Sequence, residues 1–310
     1  MVADNEIKTK ISPFSVRPGE IKVFDGKDGY VSMAQITSKI NQGVITDIHF
    51  RIIDYINKYE FLTSRQMFQL LEMDNVDIKN QDKLNKKLEQ LVKTKILTRY
   101  YFKSHDGEGV YRIYCMEKMG KYLLKSREEE CKWQPTDNTK PVDMIKKKLA
   151  GNQLVINYLR KVSTTSGVKL KPEVIDKNLN KAFKPIACIT LKYGNQDINF
   201  VFEAIRRETG WEESLTKRMN QWKNFYSNFV PGDSGFMKPP QLVFLCEDNK
   251  HMAEVFKVLV MNNLANFLNQ RFFYTTDLAQ NDDSLTKSFF EFVEEEGKYK
   301  IKNLESKLLA

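Results

Sequence analysis

A chain of 310 residues with 41% hydrophobic and 12% aromatic residues holds enough apolar material for sizeable cores, and its length suggests two domains. The 49 Lys and Arg against 40 Asp and Glu leave a net charge of +9, which favours an anionic partner, nucleic acid before membrane. No run approaches the roughly 20 apolar residues of a membrane span, and Met1-Val2-Ala3-Asp4-Asn5-Glu6 lacks the apolar core of a secretory leader. A soluble, cytoplasmic protein is therefore expected. The four cysteines, Cys115, Cys131, Cys188 and Cys246, form no CxxC and have no neighbouring histidine pair, so they read as a reduced set and not as a disulfide frame or zinc site.

Residues 1–45 are punctuated by Pro13, Pro18, Gly19 and Gly26, yet Phe14, Val16, Ile21, Val23 and Phe24 are too apolar for a simple tail. A short strand or hairpin, or an arm lying on the next domain, is expected, with Lys8, Lys10, Arg17 and Lys22 able to reach along a polyanion. From Thr46 the pattern becomes helical, with Ile48, Ile52, Ile53 and Ile56 at one-face spacing. A second helix opens at Thr63-Ser64 and carries Met67, Phe68, Leu70 and Leu71. A third runs from about Asp82 to Lys95, its Leu84, Leu88, Leu91 and Val92 on one face and Lys83, Lys86, Lys87, Lys93 and Lys95 largely away from it. The period then changes to that of strands at 96–102 and 110–114, joined by the turn-like His105-Asp106-Gly107-Glu108-Gly109.

Three helices followed by a basic two-stranded ribbon is the pattern of a winged helix-turn-helix over residues 46–130. A lysine-studded third helix can enter a major groove, while Lys103, His105 and Arg112 of the ribbon can meet the neighbouring phosphates. Asn85, together with Asn80, Gln81 and Gln90, offers amides to base edges. Against this stands the plainer reading in which the lysines form a solvated face and the domain makes protein contacts only.

After a helix at 117–127 that packs Met119, Tyr122 and Leu123, the stretch 131–141 with Pro135 and Pro141 reads as a linker. Residues 142–310 then form the second domain. A helix over 142–162, which Gly151 bends or divides, leads to strands at 168–170, 187–191 and 198–203 and a helix at 212–229. A buried strand at 241–246, a helix at 249–270 and a strand at 271–276 follow. This β-β-β-α-β-α-β order implies a mixed sheet with packed helices, the order of a restriction-endonuclease-like core and also of many inert α/β domains. The overall expectation is α+β or α/β: an N-terminal winged helix-turn-helix plus a restriction-endonuclease-like mixed-sheet domain. The tail from Asn281, with Leu285, Phe289, Phe290 and Phe292, reads as an amphipathic helix or strand, or as a segment that docks a partner or a second copy. Trp211, Trp222, Phe225 and Phe229 fit a buried helix face better than a base-stacking strip, and His49, His105 and His251 lie too far apart to form a site.

The Leu62-Thr63-Ser64-Arg65-Gln66 segment, the helix Leu84 to Leu97 and a Tyr-rich wing, set before a nuclease-like half, resemble the replication–relaxation family of plasmids and mobile elements. The resemblance implies a DNA-binding protein acting in plasmid replication or in DNA relaxation during transfer, with duplex DNA, itself as a dimer, or other replication and transfer proteins as partners. In the family's second half a strand near Arg-Pro-Asp precedes a strand ending in a carboxylate and a helix with a lysine and aromatics. The matching positions are Lys184-Pro185-Ile186, Val201-Phe202-Glu203, and Lys217 with Trp222 and Tyr226. Ile186 replaces the aspartate, and Glu203-Ala204-Ile205 lacks the lysine two residues after the carboxylate. A metal-dependent nuclease needs at least two oxygen ligands for Mg²⁺ and a cation near the attacking water. The expectation is therefore a nuclease-like scaffold kept for binding, with no catalytic residues and no cofactor. The alternatives are a Mg²⁺-dependent nuclease using Glu203 and Lys217, with Glu173, Asp176 or Glu208 as second carboxylate and Arg206 as a replacement cation, and a protein–protein adaptor.

Overall fold

A computed structural model describes residues 11–104, 111–265 and 272–310. The chain divides into two compact units, Val16–Ile156 and Asn157–Ala310 with the N-terminal residues to Ser15.

The first unit runs β1 (Ile21–Phe24), α1 (Met33–Asn41), α2 (Asp47–Tyr59), β2 (Phe61–Thr63), α3 (Ser64–Met73), α4 (Gln81–Lys93), β3 (Leu97–Lys103), β4 (Arg112–Met116), α5 (Lys118–Ser126) and most of α6 (Val142–Lys161). Its strands form one antiparallel sheet in the order β1-β3-β4-β2. The helices start where their sequences provide caps. Thr63 Oγ1 accepts the Gln66 N–H at 3.2 Å, and Gln66 Oε1 accepts the Thr63 N–H at 3.0 Å. Ser32 and Gln35 repeat this reciprocal pair for α1, and Asn80 Oδ1 caps α4. Lys95, at φ 55°, turns the chain from α4 into β3 while Ile96 N–H bonds back to Leu91 O. Ile52, Ile53, Ile56, Leu71, Leu84, Leu88 and Leu91 meet in a core closed to solvent, each contributing about 1.5–3 kcal/mol by burial.

Several expectations change, while the short strand expected within residues 1–45 is present as β1. On α2 the buried stripe is His49, Ile52, Ile53, Ile56 and Tyr59, while Ile48 is only half-buried. Within the expected arm, β1 pairs with β3 and α1 buries Ile36, so residues 16–45 belong to this unit. The expected linker is held in place as well. Asn138 Nδ2 donates to Met116 O, Trp133 Nε1 to Asn138 Oδ1, and Lys121 Nζ to Trp133 O. Prolines and polar residues mark 131–141 as irregular, but irregular backbone with satisfied hydrogen bonds is packed structure and not a tether. Helix α6 then passes Gly151 without a break. Its Asn152 Nδ2 donates to Tyr59 O at 3.0 Å and Phe61 O at 2.7 Å, which places residues 142–156 in this unit too.

The second unit contains β5 (Thr165–Leu170), the hairpin β6 (Val174–Asp176) and β7 (Lys181–Phe183), β8 (Ala187–Tyr193), β9 (Gln196–Ala204), α7 (Trp211–Ser227), β10 (Gln241–Cys246), α8 (Asn249–Met261), β11 (Phe272–Thr276), β12 (Phe289–Glu295) and β13 (Lys298–Leu304). Among the described residues a seven-stranded mixed sheet has the order β13-β12-β11-β10-β9-β8-β5. β9, β10 and β11 are parallel, joined through α7 and α8, and the remaining neighbours pair antiparallel. Alternation along the strands separates two faces. Val201, Phe244 and Cys246 share a core with Met219 and Trp222 of α7 and Val255 and Leu259 of α8. Phe202 turns the other way and meets Tyr158, near the end of α6, edge-on at 5.5 Å. Val243 and Leu245, on the same face as Phe202, are buried as well. The tail forms the hairpin β12–β13, and the helix expected to run to 270 ends at Met261, with 266–271 outside the described residues. No helix among the described residues is long and apolar enough to cross a membrane.

Candidate nucleic-acid interface

Residues 16–156 carry 25 Lys and Arg against 19 Asp and Glu, so this unit holds most of the chain's positive excess. Within it, α4 concentrates cations on one side. Leu84, Leu88, Leu91 and Val92 are buried, and the helical period throws Lys83, Lys86 and Lys93 outward. Asn85 is exposed on one flank of the stripe, and Lys87 is half-buried on the other. Lys93 lies 3.8 Å from Glu89, an exposed i,i+4 contact that leaves its charge hydrated.

The ribbon strands β3 and β4 carry the other expected cations. Lys103 is exposed at the end of β3. Arg112, 54% exposed, opens β4 with Nε 3.1 Å from Asp25 Oδ2, so part of its charge is already balanced. His105 lies outside the described residues. Sequence reasoning missed Arg99, which is 9% exposed and binds Glu89 of α4 at 2.6 Å and Asp25 at 2.9 Å. It ties α4, β3 and the segment after β1 together. The signal was available as one cation within the apolar strand Leu97-Thr98-Arg99-Tyr100, but its partners are remote in sequence.

The amides differ in how they are engaged. Asn80 is committed to the helix cap, and Gln81 Nε2 donates to Asn85 Oδ1 at 3.4 Å, a long contact between exposed groups. Gln90, exposed on the lysine stripe, meets a buried partner: His49 Nε2 lies 2.8 Å from its Oε1. His49 Nδ1 accepts the Thr46 backbone N–H at 3.0 Å, and burial holds the imidazole below its ordinary pKa.

Among the residues of the nuclease alternative, Glu203 is 3% exposed, and its Oε1 receives Trp222 Nε1 at 2.8 Å and faces Arg218 Nε at 3.5 Å. Ile205, at the missing-lysine position, is buried in the apolar core. Lys217 lines an open groove of about 580 Å³ beside α7 and α8. Glu173 pairs with exposed Lys184, and Asp176 accepts from the Asn178 and Leu179 N–H groups and from Asn224. Arg206 is buried against Asp277 at 2.9 Å, and Glu208 N–H bonds back to Arg206 O. Among the described residues no three His, Cys, Asp or Glu side chains are grouped to hold a metal. Trp222 and Phe225 are core residues, as their spacing implies, while Trp211 and Phe229 are only partly buried against that core, and all four cysteines are free thiols.

The carboxyl ends of the parallel strands carry a polar cluster that the sequence reading did not single out. Arg207 binds Glu247, Asp248 and Glu254, and Ser12 Oγ donates to Asp277 Oδ2. His251 Nδ1 accepts the Glu247 N–H at 3.2 Å, and burial, helped by Arg207 and Arg206, pushes its pKa down to about 3. These groups cross-link strand ends, while His251 Nε2 and Arg206 Nε stay buried without a hydrogen-bond partner among the described residues. No family model, curated protein or solved structure matches the chain.

Proposed function

We propose that the unit 16–156 is a winged helix-turn-helix that binds duplex DNA with α4 in the major groove. The observation that carries the reading is the outward stripe of Lys83, Lys86 and Lys93, set opposite the buried leucines of a helix that follows α3 after a short turn. The order α2-β2-α3-α4-β3-β4, with β4 between β3 and β2, supports it, since a winged helix needs this connectivity to place its third helix and ribbon side by side. Lys103, at the end of β3, and Arg112, at the start of β4, would meet phosphates next to the groove. The second unit is, in this reading, a restriction-endonuclease-like scaffold retained for binding, because β5, β8, β9, α7 and β10 follow that core's order while Glu203 is spent on Trp222 and Arg218. A role in plasmid replication or in DNA relaxation during transfer, as in the replication–relaxation family, follows from the resemblance of residues 62–66 and 84–97.

Labelled duplex DNA titrated with the full chain across a salt series tests the reading. Each phosphate-contacting lysine contributes about 0.9 to the slope of log affinity against log salt. The triple variant Lys83→Ala, Lys86→Ala, Lys93→Ala is expected to flatten that slope by roughly 2–3. Unchanged binding by the triple variant removes α4 as the DNA-binding face, and salt-insensitive or absent binding by the wild type favours a protein-contact role.

A further inference from the structure

We infer that buried His49 is a positioning residue for Gln90, fixing its side-chain amide so that the NH₂ group reads a hydrogen-bond acceptor on a base edge. The inference rests on the DNA-binding reading of α4.

The orientation follows from hydrogen-bond bookkeeping. His49 Nδ1 accepts the Thr46 backbone N–H at 3.0 Å, so that nitrogen carries no proton. In the neutral imidazole the proton is then on Nε2, which donates to Gln90 Oε1 at 2.8 Å. One half of the Gln90 amide is thereby occupied from beneath by a group closed to solvent. The other half, the NH₂, remains on an exposed side chain, with Lys86 four residues before it and Lys93 three residues after it on the same stripe.

The consequence is a restriction in what Gln90 recognises. A freely rotating glutamine reads adenine bidentately, accepting from N6 and donating to N7. With its carbonyl oxygen turned onto His49, Gln90 presents its NH₂ group outward, and guanine, with N7 and O6 side by side, is the base edge that offers it two acceptors. Holding the side chain in one orientation also removes part of the ordering cost of contact. The other amides on α4 have no such buried support: Asn80 serves the cap, and Gln81 and Asn85 meet each other at the surface.

The test is selection of a randomised duplex pool by the full-length wild type, Gln90→Ala and His49→Gln, with sequencing of the bound fraction and a melting temperature for each protein. His49→Gln keeps a Thr-x-x-Gln capping pair, as Thr63 and Gln66 do on α3, but shortens the reach toward Gln90. The wild type is expected to enrich a G·C pair at one position. Both variants are expected to lose that preference, weakening the selected duplex about tenfold more than a scrambled one. Equal weakening of both duplexes, or an unchanged preference in Gln90→Ala, overturns the inference while leaving DNA binding intact. Loss in Gln90→Ala but not in a folded His49→Gln overturns the positioning role. A wild type that binds no duplex sinks the DNA-binding reading and this inference with it.

Discussion

His49 and His251 are kept neutral by one arrangement used twice. Each ring is buried, and each Nδ1 accepts a backbone N–H, from Thr46 and from Glu247. Burial disfavours the charged imidazolium, with Lys87 beside His49 and Arg207 and Arg206 beside His251 adding repulsion, so both groups titrate below the ordinary histidine range, His251 at about 3. Above pH 6.5 neither the folded nor the unfolded chain protonates these rings, and the stability they permit is fully present. As pH falls through 6.5 the unfolded state binds protons first, and stability declines until the folded pKa is reached. For His251 that window runs from 6.5 to about 3, with a slope of up to about 1.4 kcal/mol per pH unit. Urea midpoints between pH 7 and 4 are expected to fall less steeply in His251→Gln, and an equal slope in both proteins assigns the acid sensitivity to other groups. The position of His49 on the buried face of α2 was only half legible. Positions 48 and 49 both fall on the arc defined by Ile52, Ile53 and Ile56, and the choice between them is made by the cap at Thr46 and the amide on α4.

At the level of elements, long apolar periods were readable and short or cross-linked pieces were not. The stripes Leu84, Leu88, Leu91 on α4 and Leu215, Met219, Trp222, Phe225, Tyr226 on α7 are buried where the 3.6-residue period puts them. Helix α1 escaped notice among the surrounding prolines and glycines, although Ser32-x-x-Gln35 before Ile36 was a capping signal. The hairpin β6–β7 has strands of three residues, too short to show a period. Residues 142–156 read as the start of the second domain because nothing local reveals that Asn152 reaches Tyr59 and Phe61. That contact has a measurable cost. Asn152→Ala removes the donor to two buried carbonyls and is expected to lower stability by about 1–3 kcal/mol, seen as a lower denaturant midpoint with little change in m. A change below about 0.5 kcal/mol would mean that solvent reaches those carbonyls in the folded chain.

For the whole molecule, the chain order of the main sheet's strands and helices was legible over residues 165–276, apart from the β6–β7 hairpin, while the spatial order of the strands was not. What the one-dimensional pattern could not give was the company kept by Glu203. A carboxylate ending a strand reads as a metal ligand, whereas here Trp222 and Arg218 of α7 occupy it. Supercoiled DNA incubated with the full chain and millimolar Mg²⁺ is accordingly expected to stay uncut. Nicking that Glu203→Gln abolishes would return that residue to a catalytic role.

The hairpin β12–β13 has a consequence for crowded solutions. β13 closes one side of the sheet among the described residues, and Lys298, Lys300 and Lys302 alternate along it with Tyr299 and Ile301. Lys300 and Lys302 face Glu295 and Glu291 across the hairpin. A neighbouring molecule adding its own strand to this rim would bring the three ammonium groups against a second like-charged row and strip water from them. Such a rim disfavours fibrillar stacking, because the residue type that also decorates α4 here sets like charges of identical chains against one another.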